Sequence, residues 1–138
     1  MANGAYQTYL DNMLGDGVRV DLDDDSIVAR LVSDDDYIFD PAGTVGTVAA
    51  IPPYNGIPDV TLQTPVISNQ AFDADDAVFN LVSPDGVKTV QGVVVLKDTG
   101  AGSFFPLWYY DLASPVTPNG TNITVEWNVA GLISVASA

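Results

Sequence analysis

The chain has 138 residues, 18 acidic against 4 basic, a formal charge of -14, and neither His nor Cys. Those absences exclude a histidine general base, a cysteine nucleophile, a zinc centre of the usual ligands and any disulfide. The negative balance argues against nucleic acid, whose phosphates would repel the chain. Apolar residues make up 47% of the sequence, so one β-rich domain over 1–138 is expected rather than an acidic disordered chain.

No stretch approaches the ~18 consecutive apolar residues of a membrane span. The opening Met1-Ala2-Asn3-Gly4-Ala5-Tyr6 lacks the basic start and apolar run of a secretion signal. A soluble protein made in the cytoplasm, with no membrane partner, is therefore expected. Glu126 is the only Glu; every other acid is Asp. Asp favours turns and caps where Glu favours helix interiors, which suits strands joined by many loops.

The first predicted element is a short helix within residues 1–16. Tyr6, Tyr9, Leu10, Met13 and Leu14 share one helical face, with Asn3 placed to cap it and Gly15 to end it. Three turns are marginal alone, so this face must dock on its own sheet or on a neighbouring subunit. Past Gly17 the period changes to two. Val18, Val20 and Leu22 alternate with Arg19 and Asp21, and after an acidic turn Ile27, Ala29 and Leu31 alternate with Val28, Arg30 and Val32. Further strands are predicted over 44–51, 60–67, 77–82, 89–96, 104–111, 123–127 and 132–135. Turn residues punctuate them, among them Pro52-Pro53, Asn55-Gly56, Pro84-Asp85-Gly86 and Pro118-Asn119-Gly120. Strands at this spacing without intervening helices predict an antiparallel β-sandwich or barrel carrying one short N-terminal helix. The segment Thr44–Gln70 has Asp59 as its one charge. It reads as an extended β-arm, or as a long loop folding against a partner.

Three Asp clusters raise the question of calcium: Asp21 with Asp23, Asp24 and Asp25; Asp34 to Asp36; and Asp73 with Asp75 and Asp76. Carboxylates two residues apart can grip a hard cation, which makes Asp21, Asp23, Asp25, Asp73 and Asp75 the candidate ligands. An EF-hand is excluded, because the first cluster places Ser26 where the loop needs Gly and Val32 where it needs Glu. The competing reading is solvated turns that keep sheet edges soluble. Glycosidase chemistry needs two opposed carboxyls, but seventeen Asp residues make some close pair unavoidable. No catalytic residue is assigned and no enzyme activity is expected. Gly100-Ala101-Gly102 lacks the Gly-Lys-Ser/Thr of a phosphate loop and reads as a hairpin turn. In the run Phe104-Phe105-Pro106-Leu107-Trp108-Tyr109-Tyr110, alternation sets Phe104, Leu107 and Tyr109 against Phe105, Trp108 and Tyr110. One set fills the core; the other is buried too or forms a sugar-stacking or subunit-docking surface.

The order of these motifs resembles a group of small tailed-bacteriophage virion structural proteins of the capsid decoration (cement) kind. The resemblance rests on Ser26–Val32, Ala71-Phe72-Asp73-Ala74-Asp75-Asp76-Ala77-Val78-Phe79, Val93–Gly100 and the stretch Pro115–Trp127. It implies a virion component. The net charge of -14 then makes a capsid decoration protein on the basic outer face of the major capsid protein the first expectation, with a dimer or trimer at shell symmetry axes following from capsid geometry. Tyr6, Tyr9, Leu10, Met13, Trp108 and Tyr110 are the docking anchors expected on that basis, since large apolar and aromatic groups dominate interface energies. The alternative is a tail or baseplate component, or a glycan-binding β-module.

Overall fold

The structure, a computed structural model, describes residues 4–7, 9–10, 20–22, 24–39, 51–68, 71–100, 103–127 and 133–134. Its centre is a three-stranded antiparallel unit. Strand β2 (Ile27–Val32) pairs in unbroken register with β7 (Val90–Gly100), from Ile27 opposite Lys97 to Val32 opposite Gly92. A long hairpin joins β7 to β8 (Ser103–Val116). β1 (Gly4–Ala5) adds to the outer side of β8, and β3 (Val60–Thr61) to that of β2, giving the order β1-β8-β7-β2-β3.

Two smaller antiparallel sheets accompany it. One has the order β10-β5-β4, from Ile133–Ser134, Ala71–Asp73 and Val66–Ser68. The other pairs β6 (Ala77–Phe79) with β9 (Ile123–Val125). The fold is thus mainly β and antiparallel as expected, built in layers, with no closed barrel among the described residues.

All six residues of β2 are buried, so both faces of the central sheet are covered. The alternation sorts them cleanly. Ile27, Ala29 and Leu31 join Val93 and Val95 in the larger core, which Phe72, Phe79, Ile123 and Val125 of the small sheets complete. Val28 and Val32 join Val94 and Leu96 in a second core, roofed by Tyr6, Tyr37, Ile51 and Tyr109. The first is sheet against sheet; the second is sheet against loops and aromatic rings.

Four expectations change. The strand expected over 60–67 is split at Thr64, whose φ is 53°, so that Val60–Thr61 pairs with β2 and Val66–Ser68 with β5 in another sheet. The helix within 1–16 is not shown: Gly4–Ala5 pairs as a strand with Trp108 and Tyr109, while the amides of Tyr9 and Leu10 both donate to the Tyr6 carbonyl in one helical turn. Pairing with a long neighbouring strand competes directly with the first turn of that helix. Residues 11–19, and with them Met13, Leu14 and Gly15, lie outside the described residues. The strand expected over 18–22 is not formed at its described end, where the Asp25 amide donates to the Asp21 carbonyl in a turn. Finally, Leu107 leaves the face assigned to it. Val95 pairs with Trp108 and Leu96 with Pro106, so Leu107 is an extra residue in β8. This bulge carries Leu107 into the larger core with Phe105, Trp108 and Tyr110, while Phe104 and Tyr109 stay on the opposite face.

Of the Thr44–Gln70 segment, 51–68 is described. Ile51, Tyr54 and Leu62 are buried against the chain's own sheet. The Tyr54 hydroxyl accepts from the Asp85 amide at 2.8 Å, tying the segment to the turn before β7.

Candidate functional site

Charge is the most distinctive property of the sequence, and the fold distributes it unevenly. Arg30 points from β2 into the second core and is only 3% exposed. Its Nε and an Nη donate to the two carboxylate oxygens of Asp59 at 2.8 and 2.7 Å, and the other Nη donates to the Ile51 carbonyl at 2.8 Å. The guanidinium also lies 5.1 Å from the centre of the Phe104 ring. Planar two-point pairing of this kind is what makes a buried guanidinium tolerable. Lys88 reaches Asp36 at 2.8 Å and Asp85 at 3.6 Å, and Lys97 reaches Asp25 at 2.9 Å. The hydrogen bond to Asp36 is the main cause raising the Lys88 ammonium above its ordinary value.

Every basic side chain among the described residues is therefore matched to an acid within the chain. Asp24, Asp34, Asp35, Asp73, Asp76 and Glu126 stand exposed. Partial desolvation, then the charges of Asp111 and Asp35, raise the Asp34 carboxyl from its ordinary value. Among the described residues the surface presents negative charge, with each cation already engaged by an acid.

The expected docking residues divide. Tyr6 and Tyr9 are 1% and 5% exposed, packed into the chain's own two cores, so neither is free to anchor a partner. The Tyr6 hydroxyl bonds to that of Tyr37, and the Tyr6 ring meets Phe39 edge-on at 5.1 Å. Leu10 is 46% exposed, and Met13 lies outside the described residues. Trp108 and Tyr110 are half-buried on the rim of the larger core. Tyr110 sits 5.7 Å from Trp127, ring centre to ring centre, and the Trp127 indole donates to the Asp75 carbonyl at 3.1 Å. Burial, then the neighbouring Asp73 charge, pushes the Tyr110 phenol well above its ordinary value.

The calcium candidates are engaged locally. Asp25 accepts from the Asp21 amide at 2.6 Å as well as from Lys97. Asp73 accepts from the Ala74 amide and Asp75 from the Thr64 hydroxyl. Among the described residues no group of three or more acidic side chains converges on one point; Asp23 lies outside them.

A shallow cavity of about 230 Å³ opens between the residues before β3 and strand β6, lined by Ile57, Asp59, Val60 and Phe79 among others. Both Asp59 oxygens are already held by Arg30. The site residue that sequence analysis left unassigned is Asp59 itself; its standing as the one acid in Thr44–Gln70 was the available signal.

In comparisons with protein-family models, curated proteins and solved structures, the chain matches none.

Proposed function

We propose that the protein is a non-enzymatic bacteriophage capsid decoration (cement) protein that binds and stabilises the outer surface of the assembled head. The resemblance in sequence supports a virion component. The observation that carries the reading is the charge distribution: the described cations are paired inside the chain while the acids of the 24, 34–35 and 73–76 turns face outward. Such a surface repels its own copies in solution and is drawn to a basic shell, with an attraction that salt screens. Binding only to the closed shell lowers its free energy relative to opened states by mass action. The protein acts on the virion surface after synthesis in the host cytoplasm, as a dimer or trimer.

Co-sedimentation with purified heads tests this. The wild-type chain pellets with heads at low salt and is released as salt rises. The triple variant Asp24→Asn, Asp34→Asn, Asp35→Asn spares the acids that pair with Lys97 and Lys88, and it binds more weakly with a shallower salt dependence. Unchanged binding of that variant contradicts steering through these turns.

A second reading, a glycan-binding module of the tail or baseplate, is favoured by one feature: the Tyr110–Trp127 pair beside Asp73 and Asp75. Aromatic faces next to hydrogen-bond acceptors suit sugar rings. A change in tryptophan fluorescence on adding host surface glycan, absent in Trp127→Phe, would support that reading over decoration.

A further inference from the structure

Strand β4 is an edge: among the described residues it pairs with β5 alone. Ile67 lies directly opposite Phe72 and so shares its face of the sheet. Phe72 is 2% exposed inside the larger core, yet Ile67 is 51% exposed and its neighbour Val66 48%. The apolar face thus runs past Phe72 to an exposed Ile67 on a strand that has no neighbour on its outer side among the described residues.

The charge pattern there admits a second copy of this chain. From Val60 to Phe72 the sequence carries no ionisable side chain, in a chain of net charge -14. Across a two-fold axis each residue meets its own kind or a close neighbour, so a charge near the axis would face its like. By contrast, β6 follows Asp75 and Asp76, and β9 runs into Glu126. The nearest acid to β4, Asp73 opposite Val66, lies one strand in, so the edge itself brings no charge against its like.

We infer that β4 joins two copies of this chain, antiparallel across a two-fold axis at Ile67. Ile67 then faces its counterpart in the second copy, Val66 faces Ser68, and the Phe72 row continues through both. Pro65 has no N–H to give, and Thr64 before it turns the backbone through a φ of 53°. The ladder is confined to three residues and the contact closes as a dimer rather than growing into a fibre. So short a ladder pairs weakly in dilute solution and fills when copies are concentrated. The inference goes beyond the capsid reading and stands without it.

The absence of cysteine makes the test clean. Directly opposed residues of an antiparallel pair have Cα atoms about 4.5–5.5 Å apart, within disulfide reach. Under mild oxidation Ile67→Cys should form a disulfide-linked dimer about tenfold faster or more than Val87→Cys, because pairing raises the local thiol concentration. Val87 is 96% exposed and off this edge. Equal rates overturn the proposal. In sedimentation velocity the wild-type coefficient should rise with concentration while that of Ile67→Lys stays at the monomer value; a concentration-independent wild type also overturns it. Dimerisation without head binding would leave this inference intact and count against decoration alone.

Discussion

The two faces of the central sheet are built from the same strands and solve burial in opposite ways. One packs Ile27, Ala29, Leu31, Val93 and Val95 against other sheets, with apolar atoms throughout. The other packs Val28, Val32, Val94 and Leu96 under tyrosines and beside a buried guanidinium. An apolar face is held by non-directional burial, so small losses of volume cost in proportion. The aromatic face depends on specific partners, because each buried polar group left unmatched costs its full desolvation. The first should therefore tolerate change and the second should be brittle.

The largest effect should come from the ion pair. Asp59→Ala leaves Arg30 buried without its carboxylate and should cost about 3–5 kcal/mol in urea unfolding. The double variant Arg30→Met, Asp59→Leu should regain most of that loss, since an apolar pair of similar size leaves no orphaned charge. A double variant as unstable as the single would show that the pair is needed for more than neutralisation.

Next is Gly92, where β7 passes beneath the Tyr109 ring. A Cβ there would be driven into the ring and its hydroxyl, so Gly92→Ala should cost about 1–3 kcal/mol by overpacking. Combined with Tyr109→Leu, the loss should be smaller than the sum of the two single variants. Strict additivity would mean that the ring is not the obstacle. On the apolar face, Ile27→Val should cost only about 0.5–1.5 kcal/mol.

The smallest effect at neutral pH, and the most selective, is the response to alkali. Burial raises the Tyr6 phenol, with the hydrogen bond to Tyr37 adding to it; burial and then the bond to Asp111 raise that of Tyr109. Unfolded tyrosine ionises near ~10. Above that pH the unfolded chain binds fewer protons than the folded one, so stability is intact below about pH 10 and falls as pH rises further. Tyr6→Phe should flatten this fall in a series of alkaline unfolding midpoints. A slope unchanged by the substitution would exclude Tyr6 as a source.

Much of this contrast is legible in Ile27–Val32, where alternation already separates the two faces. That both are buried is also written there, since Val28 and Val32 flank Arg30 on the second face. The partner of Arg30 was not legible, because Asp59 lies 29 residues away and only the folded chain brings it near. The single extra residue at Leu107 reversed one face assignment, since a bulge depends on how two strands pair rather than on either strand alone. Gly4–Ala5 and Ala71–Asp73 are too short for any period to register. Their strand state comes from a neighbour. For the expected docking residues, periodicity placed Tyr6, Tyr9 and Leu10 on one helical face without showing that the first two would be drawn inside.

A protein that coats a finished shell must be abundant in the particle, and quantitative mass spectrometry of purified virions counts its copies against the major shell subunit. Coating requires a ratio near one copy per shell subunit, reduced when particles are washed at high salt. A handful of copies per particle, or none, would contradict it and move the tail-associated glycan reading ahead.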